Sequence, residues 1–326
     1  MLNRARRLRK SREIRDLVQE SNLSVNDFIY PLFIKDEANA YEEIDAMPGI
    51  YRFGIERLFY EVEELLALGI KSVVLFPMTN PELKNSQAIE SYNANNLTCR
   101  TVRALKKRFP ELLIMTDIAL DPYTDHGHDG IIIDGEIVND ETVKVLTKMA
   151  LAQVEAGADI LGPSDMMDGR VKAIRQTLEK ERHHNTMILS YTAKYASCLY
   201  GPFRDALKSA NYGMDDSIPR DKKTYQMNIA NSKEALRELE FDIEEGADMV
   251  MVKPASWYLD VITKIKAASP VPVAAYQVSG EYSMIVAAVK AGLMKREHAI
   301  YESLLSIKRA GADLILSYFA KELFSL

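Results

Sequence analysis

Short, almost wholly apolar runs alternate along this chain with longer stretches whose apolar positions recur every three or four residues. The runs are Ile29–Ile34, Ser72–Phe76, Leu112–Asp117, Asp159–Leu161, Met187–Thr192, Met249–Val252, Val271–Val278 and Leu314–Tyr318. Lacking in/out alternation, they read as parallel strands covered on both faces. The intervening stretches predict helices over Gly54–Leu68, Asp140–Ala156, Arg170–Arg182, Ser232–Glu245, Tyr258–Ala268, Glu281–Ala291 and Lys295–Ala310. A unit recurs at the helix-to-strand joints: Glu155-Ala-Gly-Ala-Asp159, Glu245-Gly-Ala-Asp248 and Arg309-Ala-Gly-Ala-Asp313, with Leu68-Gly-Ile-Lys71 earlier. Each places a glycine just past a helix end, where the backbone often turns to positive φ. Eight such βα units predict an α/β fold, a TIM (β/α)8 barrel over residues 26–326, preceded by an arm over 1–25. Two polar segments, 78–100 and 195–230, break the rhythm; loops this long in a compact domain are usually lids or binding loops. Both follow strand C-termini, the face where barrel enzymes carry their chemistry.

Composition narrows the classes. The 326 residues are 47% hydrophobic and 27% charged, with a net charge of −6. That is ordinary for a globular protein and argues against nucleic acid or an anionic membrane as partner. No run approaches the roughly 18 apolar residues a spanning helix needs. Two cysteines, Cys99 and Cys198, make no disulfide framework, and the simple expectation is a cytoplasmic protein. The start is basic, with Arg4, Arg6, Arg7, Arg9, Lys10, Arg12 and Arg15, but no apolar stretch follows it, so it does not read as a secretory signal. It reads better as an arm that grips a neighbouring subunit.

The candidate chemistry starts with two lysines. Lys194 and Lys253 each stand where an apolar run gives way to a loop. Lysine is a poor strand former and is rarely buried. Apolar surroundings disfavour its ammonium, and a second ammonium nearby adds repulsion; both lower its pKa from about 10.4, at about 1.4 kcal/mol per unit. A neutral lysine amine attacks ketones to form Schiff bases. Other reactive residues also fall at strand ends: Asp117, Ser164, Asp165, Tyr276 to Ser279, and Tyr318. A barrel would gather them, although each alone has an ordinary explanation as a cap or a satisfied core residue.

The stretches around the lysines carry a family resemblance. Ser190-Tyr-Thr-Ala-Lys-Tyr-Ala-Ser197 with Tyr200-Gly-Pro-Phe-Arg204, and Met251-Val-Lys-Pro254, resemble the active-site segments of the porphobilinogen synthase (5-aminolevulinate dehydratase) family. So do Gly162-Pro-Ser-Asp-Met-Met-Asp-Gly-Arg170 and Asp117-Ile-Ala-Leu-Asp-Pro-Tyr-Thr-Asp-His-Gly-His-Asp-Gly130. The likeness runs from Tyr30-Pro-Leu-Phe33 to Leu316-Ser-Tyr-Phe319. It implies a hydro-lyase of tetrapyrrole (heme and chlorophyll) biosynthesis that condenses two 5-aminolevulinate molecules to porphobilinogen, with loss of two waters. Lys253 would hold the substrate that becomes the propionate half, and Lys194 the one that becomes the acetate half. Asp117 and Ser164 would bind the first substrate's amino group, and Ser279 and Tyr318 its carboxylate. Arg204, Lys222 and Gln226 would clamp the other carboxylate. Many members have arginine where this chain has Lys222, and lysine lacks the planar two-point fork.

The resemblance also frames the metals and the assembly. Members using catalytic zinc have cysteine at the positions of Ala119, Asp121 and Asp129. Alanine and two aspartates suit magnesium or no metal, so no catalytic zinc is expected. Asp121 and Asp129 are candidate ligands of a hard cation or partners of loop donors. His126 and His128 stand nearby, as loop histidines in hydrogen bonds or as part of a mixed zinc site. A separate Mg2+ is implied at Glu238, away from the chemistry and at a subunit interface. Members assemble as homo-oligomers, commonly octamers, through their N-terminal arms. A class I aldolase or keto-acid dehydratase would need only one lysine. A metal-dependent barrel lyase would need its metal for the chemistry, and a non-catalytic barrel would need neither lysine.

Overall fold

The computed structural model describes residues 2–209 and 217–325. Eight parallel strands close into a barrel: β1 (Phe28–Lys35), β2 (Ser72–Met78), β3 (Leu113–Ile118), β4 (Ile160–Pro163), β5 (Met187–Lys194), β6 (Met249–Lys253), β7 (Val273–Gln277) and β8 (Leu314–Ser317). Each pairs with the next, and β8 returns to β1 with Phe28 opposite Ile315 and Ile29 opposite Leu316. All eight predicted strands are present, and the (β/α)8 expectation holds. The strands are buried nearly end to end, as continuous apolar runs require.

The recurring glycines do what their position demands. Gly69, Gly157, Gly246 and Gly311 all have positive φ, from +86° to +116°. There a side chain on an L-residue would be strained. The aspartates of the same unit have a role the sequence did not disclose. Asp159 Oδ2 accepts the Ile114 amide at 2.7 Å, Asp248 Oδ2 the Ile188 amide at 2.7 Å, and Asp313 Oδ2 the Val273 amide at 2.8 Å. Each ties the start of its own strand to the start of the strand before. Each also pairs with a basic residue of a neighbouring helix: Lys106, Arg175 and Lys266. The repeated unit thus fixes strand register at the N-terminal rim, opposite the reactive end.

Three departures shape the reactive end. Residues 97–100, read as loop, begin the helix Leu97–Arg108, capped by Asn96, whose side-chain oxygen accepts the Cys99 amide at 2.8 Å. Its buried face is Thr98, Cys99, Thr101, Val102 and Leu105; two of the five are threonine, which shortens the apolar stripe to Cys99, Val102 and Leu105. Within the predicted loop 195–230 lies a helix, Gly201–Leu207, whose Pro202 sits in the first turn, where its missing N–H is no loss. Part of that loop, including Gly213, lies outside the described residues. Short strands at Tyr41–Glu43 and Tyr51–Phe53, the second running alongside β1, and a hairpin of Ile131–Ile133 with Glu136–Val138 were not predicted. Before β1 come a turn of 3-10 helix, Ala5–Arg9, and the helix Arg12–Leu17, with no buried residue in either.

Candidate active site

Strand register brings the two lysines together. Along β6, Val250 to Val252 advances two residues, while their partners on β5, Ser190 to Ala193, advance three. The extra residue is a β-bulge, and it puts Lys194 directly opposite Lys253. Direct partners on adjacent strands lie about 4.8 Å apart at the backbone and share a face. Both side chains enter one cavity at the C-terminal mouth, lined also by Asp117, Asp121, Asp129, Ser164, Tyr200, Phe203, Arg204, Lys222 and Gln226. Both lysines are 6% exposed. The cavity leaves about 20 Å³ free to water-sized molecules, room for roughly a single water.

The two amines have different surroundings. Lys253 Nζ stands over four aromatic rings, Tyr191, Tyr200, Phe203 and Tyr276, at 4.8–5.3 Å from their centres. Burial, helped by the Lys194 charge, pulls its pKa from an ordinary 10.5 to about 7, against the carboxylates of Asp117, Asp121 and Asp129. The amine is therefore substantially free at neutral pH. Lys194 Nζ instead donates to the Ser164 carbonyl and lies 3.4 Å from Asp129 Oδ2.

Asp129 is the hub of the polar side. It meets Lys222 Nζ at 2.7 Å, Lys194 Nζ at 3.4 Å and Gln226 Nε2 at 3.5 Å. Burial alone would raise its pKa, but the ammoniums of Lys194 and Lys222 outweigh that and hold it well below the usual carboxylate range. Asp121, 3.8 Å from Lys222, goes the other way: burial raises its pKa against the Lys222 charge, and the Asp129 charge adds to the rise. Asp117 is raised by burial too, against both lysines and the Ser164 hydroxyl. Its Oδ1 is buried and makes no hydrogen bond among the described residues. A carboxylate so placed can take up a substrate ammonium.

The sequence-predicted residues divide into two groups. Lys194, Lys253, Asp117, Asp121, Asp129, Ser164, Arg204, Lys222 and Gln226 meet around the cavity. Ser279 and Tyr318 do not line it. The Phe203 amide donates to Ser279 Oγ at 3.0 Å, while the Phe203 ring packs on Phe33, which stacks on Tyr318. Gly280 permits this approach, since a Cβ there would lie 2.4 Å from the Leu199 carbonyl oxygen. Tyr318 also shares a 2.9 Å hydroxyl contact with Tyr276. Glu238 lies elsewhere, on the helix Glu234–Glu244, in a separate cavity of about 850 Å³ that, among the described residues, shares only Gln226 with the lysine site.

The candidate metal positions differ in character. The cations facing Asp121 and Asp129 are already there, as the ammoniums of Lys222 and Lys194. Two carboxylates neutralised in this way do not fit a divalent ion. His128 Nε2 lies 2.7 Å from the Pro219 carbonyl, which can only accept, so that nitrogen carries the proton, and Nδ1 meets the Tyr225 hydroxyl at 3.0 Å. His126 Nδ1 accepts the His128 amide at 3.2 Å, and burial lowers the His126 pKa to about 4. No group of three His, Cys, Asp or Glu side chains among the described residues is set to hold a metal. Glu238 is different. Burial raises its pKa against the Arg170 charge, and Asp242, Asp168 and Glu234 add to the rise. Asp242 Oδ2 is buried without a hydrogen-bond partner among the described residues, while its Oδ1 lies 3.7 Å from Arg170 Nη1. A single carboxylate of this kind can hold a magnesium ion, which keeps most of its waters.

Tyr276, expected among the reactive residues at strand ends, walls Lys253 together with Tyr191, Tyr200 and Phe203, to which sequence reasoning assigned no role. For Tyr200 and Phe203, aromatic residues in a polar loop were the available signal.

A family model described as delta-aminolevulinic acid dehydratase matches residues 2–326. A relative of that name from Bradyrhizobium diazoefficiens is 52% identical, over 97% of this chain and 88% of its own. Another, from Rhodobacter capsulatus, is 51% identical over 98% of this chain and 94% of its own. A solved delta-aminolevulinic acid dehydratase (porphobilinogen synthase) from Toxoplasma gondii, in complex with the reaction product porphobilinogen, superposes with a TM-score of 0.96 at 49% identity, covering 100% of this chain and 91% of that one. With a closed barrel and two lysines in register at its mouth, matched over nearly its whole length, the chain belongs to the delta-aminolevulinic acid dehydratase family.

Proposed function

We infer that this protein is the hydro-lyase that condenses two 5-aminolevulinate molecules into porphobilinogen, releasing two waters, in tetrapyrrole biosynthesis. The observation that carries the reading is the pair of register-matched, buried lysines in one cavity, one of them with its pKa brought to about 7.

Lys253 is the amine ready at neutral pH, so the first ketone is captured there. Its nitrogen adds to the carbonyl carbon, the carbonyl oxygen leaves as water, and a protonated imine remains. The surrounding ring faces of Tyr191, Tyr200, Phe203 and Tyr276 suit that cation. Asp117 and Ser164 take the first substrate's amino group. Its carboxylate goes to Ser279 and Tyr318 once Phe203 moves aside. Lys194, directly opposite Lys253 in the strand register, takes the second ketone. Arg204, Lys222 and Gln226 clamp the second carboxylate; to do so, Lys222 turns from Asp129 to the substrate. Each protonated imine draws electrons from the neighbouring C–H, which allows the enamine and the C–C bond to form. Asp121, its pKa raised by burial, can hold and return a proton near neutrality.

Mg2+ belongs at Glu238, with Asp168 and Asp242 around it, where it would supply structural support rather than chemistry. Neither zinc nor magnesium takes part at the lysines. The arm over 1–25 exposes Leu2, Leu8 and Leu17, and covering them against a neighbouring subunit accords with a homo-octamer. No helix among the described residues is long and apolar enough to cross a membrane. With the net charge of −6, that favours a cytoplasmic enzyme without nucleic-acid or membrane partners.

The test is to incubate the protein with 5-aminolevulinate, add borohydride, and map modified lysines by peptide mass spectrometry, with and without chelator. Label at Lys253 or Lys194, with pyrrole formed in untreated samples, is the expected result. Absence of both label and pyrrole, with or without Mg2+, overturns the reading.

A further inference from the structure

The helix Gly201–Leu207 carries Phe203 and Arg204 into the catalytic cavity, yet it is seven residues long. A helix this short has no stability of its own; at its end the Asp205 carbonyl accepts the Lys208 amide at 3.2 Å, and the Ala206 carbonyl has no backbone donor among the described residues. Those carbonyls are held from the other side of the barrel mouth. Arg52, on Tyr51–Phe53, is 2% exposed. Its Nε donates to the Ala206 carbonyl at 2.7 Å and its Nη2 to the Asp205 carbonyl at 3.0 Å. The third arm of the guanidinium, Nη1, meets Glu42 Oε1 at 2.6 Å, and Glu42 is held in turn by Lys35 at 2.9 Å. Lys84 Nζ adds a bond to the Lys208 carbonyl at 3.3 Å, just past the helix end. A positive fork at a helix C-terminus satisfies orphan acceptors and opposes the negative end of the helix dipole.

An arginine is a costly way to fill such a place. Burying its charge with one carboxylate stabilises a fold no more than packing an apolar side chain of similar volume. What it adds is direction, because the planar fork engages two successive carbonyls at once and admits one orientation of the helix. The two residues that precede those carbonyls are Phe203, 5.2 Å from Lys253 Nζ, and Arg204.

We propose that Arg52 is a positioning residue for the reaction: by gripping the Asp205 and Ala206 carbonyls it orients the helix Gly201–Leu207, and so aims the Arg204 guanidinium at the substrate carboxylate. This rests on the reading of Arg204 as a carboxylate clamp. Arg52 itself touches neither substrate nor lysine. Its influence runs through the backbone of one short helix.

The test is a kinetic cycle with 5-aminolevulinate on Arg52→Met, Arg204→Ala and the double variant, with Arg52→Lys beside them. Arg52→Met is expected to raise KM by about tenfold, with a smaller change in kcat. Arg52→Lys recovers part of the loss, because one ammonium reaches one carbonyl well and not two. The double variant is expected to be no worse than Arg204→Ala alone, since Arg52 acts through Arg204. If Arg52→Met does not fold, Glu42→Gln, which removes the anchor of the guanidinium, takes its place and is expected to raise KM in the same direction. Three results overturn the proposal: a normal KM in Arg52→Met or Glu42→Gln with only the melting temperature lowered, losses that multiply in the double variant, or no recovery in Arg52→Lys. Unchanged KM in Arg204→Ala would remove the clamp and the proposal together. An impaired Arg204→Ala beside a normal Arg52→Met would remove the proposal alone.

Discussion

Replacing Lys194 with methionine isolates the effect of one lysine on the other. Lys253 has its pKa brought from 10.5 to about 7, first by burial and then by the Lys194 charge. The full difference of about 3.5 units corresponds to about 5 kcal/mol. Two ammoniums separated by roughly 5 Å, the spacing of paired strands, repel by about 3 kcal/mol at an effective dielectric of about 20, equivalent to about two pKa units. Removing Lys194 lifts that repulsion. It also leaves the carboxylates of Asp117 and Asp129 with less competition, which favours the Lys253 ammonium further. Both effects raise the pKa, so Lys194→Met should move the midpoint for imine formation at Lys253 from about pH 7 to about 8–9. Turnover is lost in this variant, so the assay is single-turnover trapping: 5-aminolevulinate, then borohydride, with label at Lys253 followed from pH 5 to 10. At pH 7 the trapping rate should fall about tenfold or more below that of the unmodified protein. A midpoint that stays at 7, or moves down, would refute the coupling and leave burial alone to explain the free amine.

Lys253→Met should stabilise the fold in a pH-dependent way: the folded pKa near 7 lies below the unfolded value near 10.5, so the unfolded chain binds more protons between them and stability rises with pH across that window. The gain from methionine is therefore largest below pH 7, roughly 2–5 kcal/mol, and fades towards pH 10.5; denaturant melts showing equal gains at pH 6 and pH 10 would contradict this. Asp129→Asn leaves the buried ammoniums of Lys194 and Lys222 without their shared carboxylate and should cost about 3–5 kcal/mol in urea unfolding, whereas a cost under about 1 kcal/mol would mean the hub is not what holds them. Glu238→Ala should abolish any response of activity to added Mg2+ while borohydride still labels Lys253; a retained response would place the ion elsewhere.

The barrel was legible because each buried strand is an apolar run and four of the helix-to-strand joints repeat a glycine that takes positive φ. The lysines were legible because a lysine at the end of such a run is out of place. What stayed hidden depends on contacts between distant segments. The Leu97–Arg108 helix opens inside a polar segment and buries two threonines beside Cys99, Val102 and Leu105, so its apolar stripe is short. The bulge that brings Lys194 level with Lys253 depends on how two strands are paired and leaves no mark in either one. The sequence left Asp121 and Asp129 as ligands of a hard cation or partners of loop donors; it could not show the salt bridges of Asp129 with Lys222 and Lys194, because those ammoniums come from 93 and 65 residues away. Arg52 lies on a three-residue strand too short to predict, and its carbonyl partners are more than 150 residues further along.

The near absence of free space around the lysines has a consequence in mass balance. The reaction sets free two waters, and the cavity leaves room for roughly one. Side chains at its mouth must therefore shift within a full cycle: two keto acids must enter, and two waters and a pyrrole must leave. The wall that carries Phe203 joins the barrel through the Ser279 hydroxyl, the aromatic packing on Phe33 and Phe76, and the Arg52 fork. The frequency with which those attachments part sets a ceiling on turnover that is independent of the chemistry, and solvent viscosity, which slows opening but not bond making, is the variable through which that ceiling becomes visible.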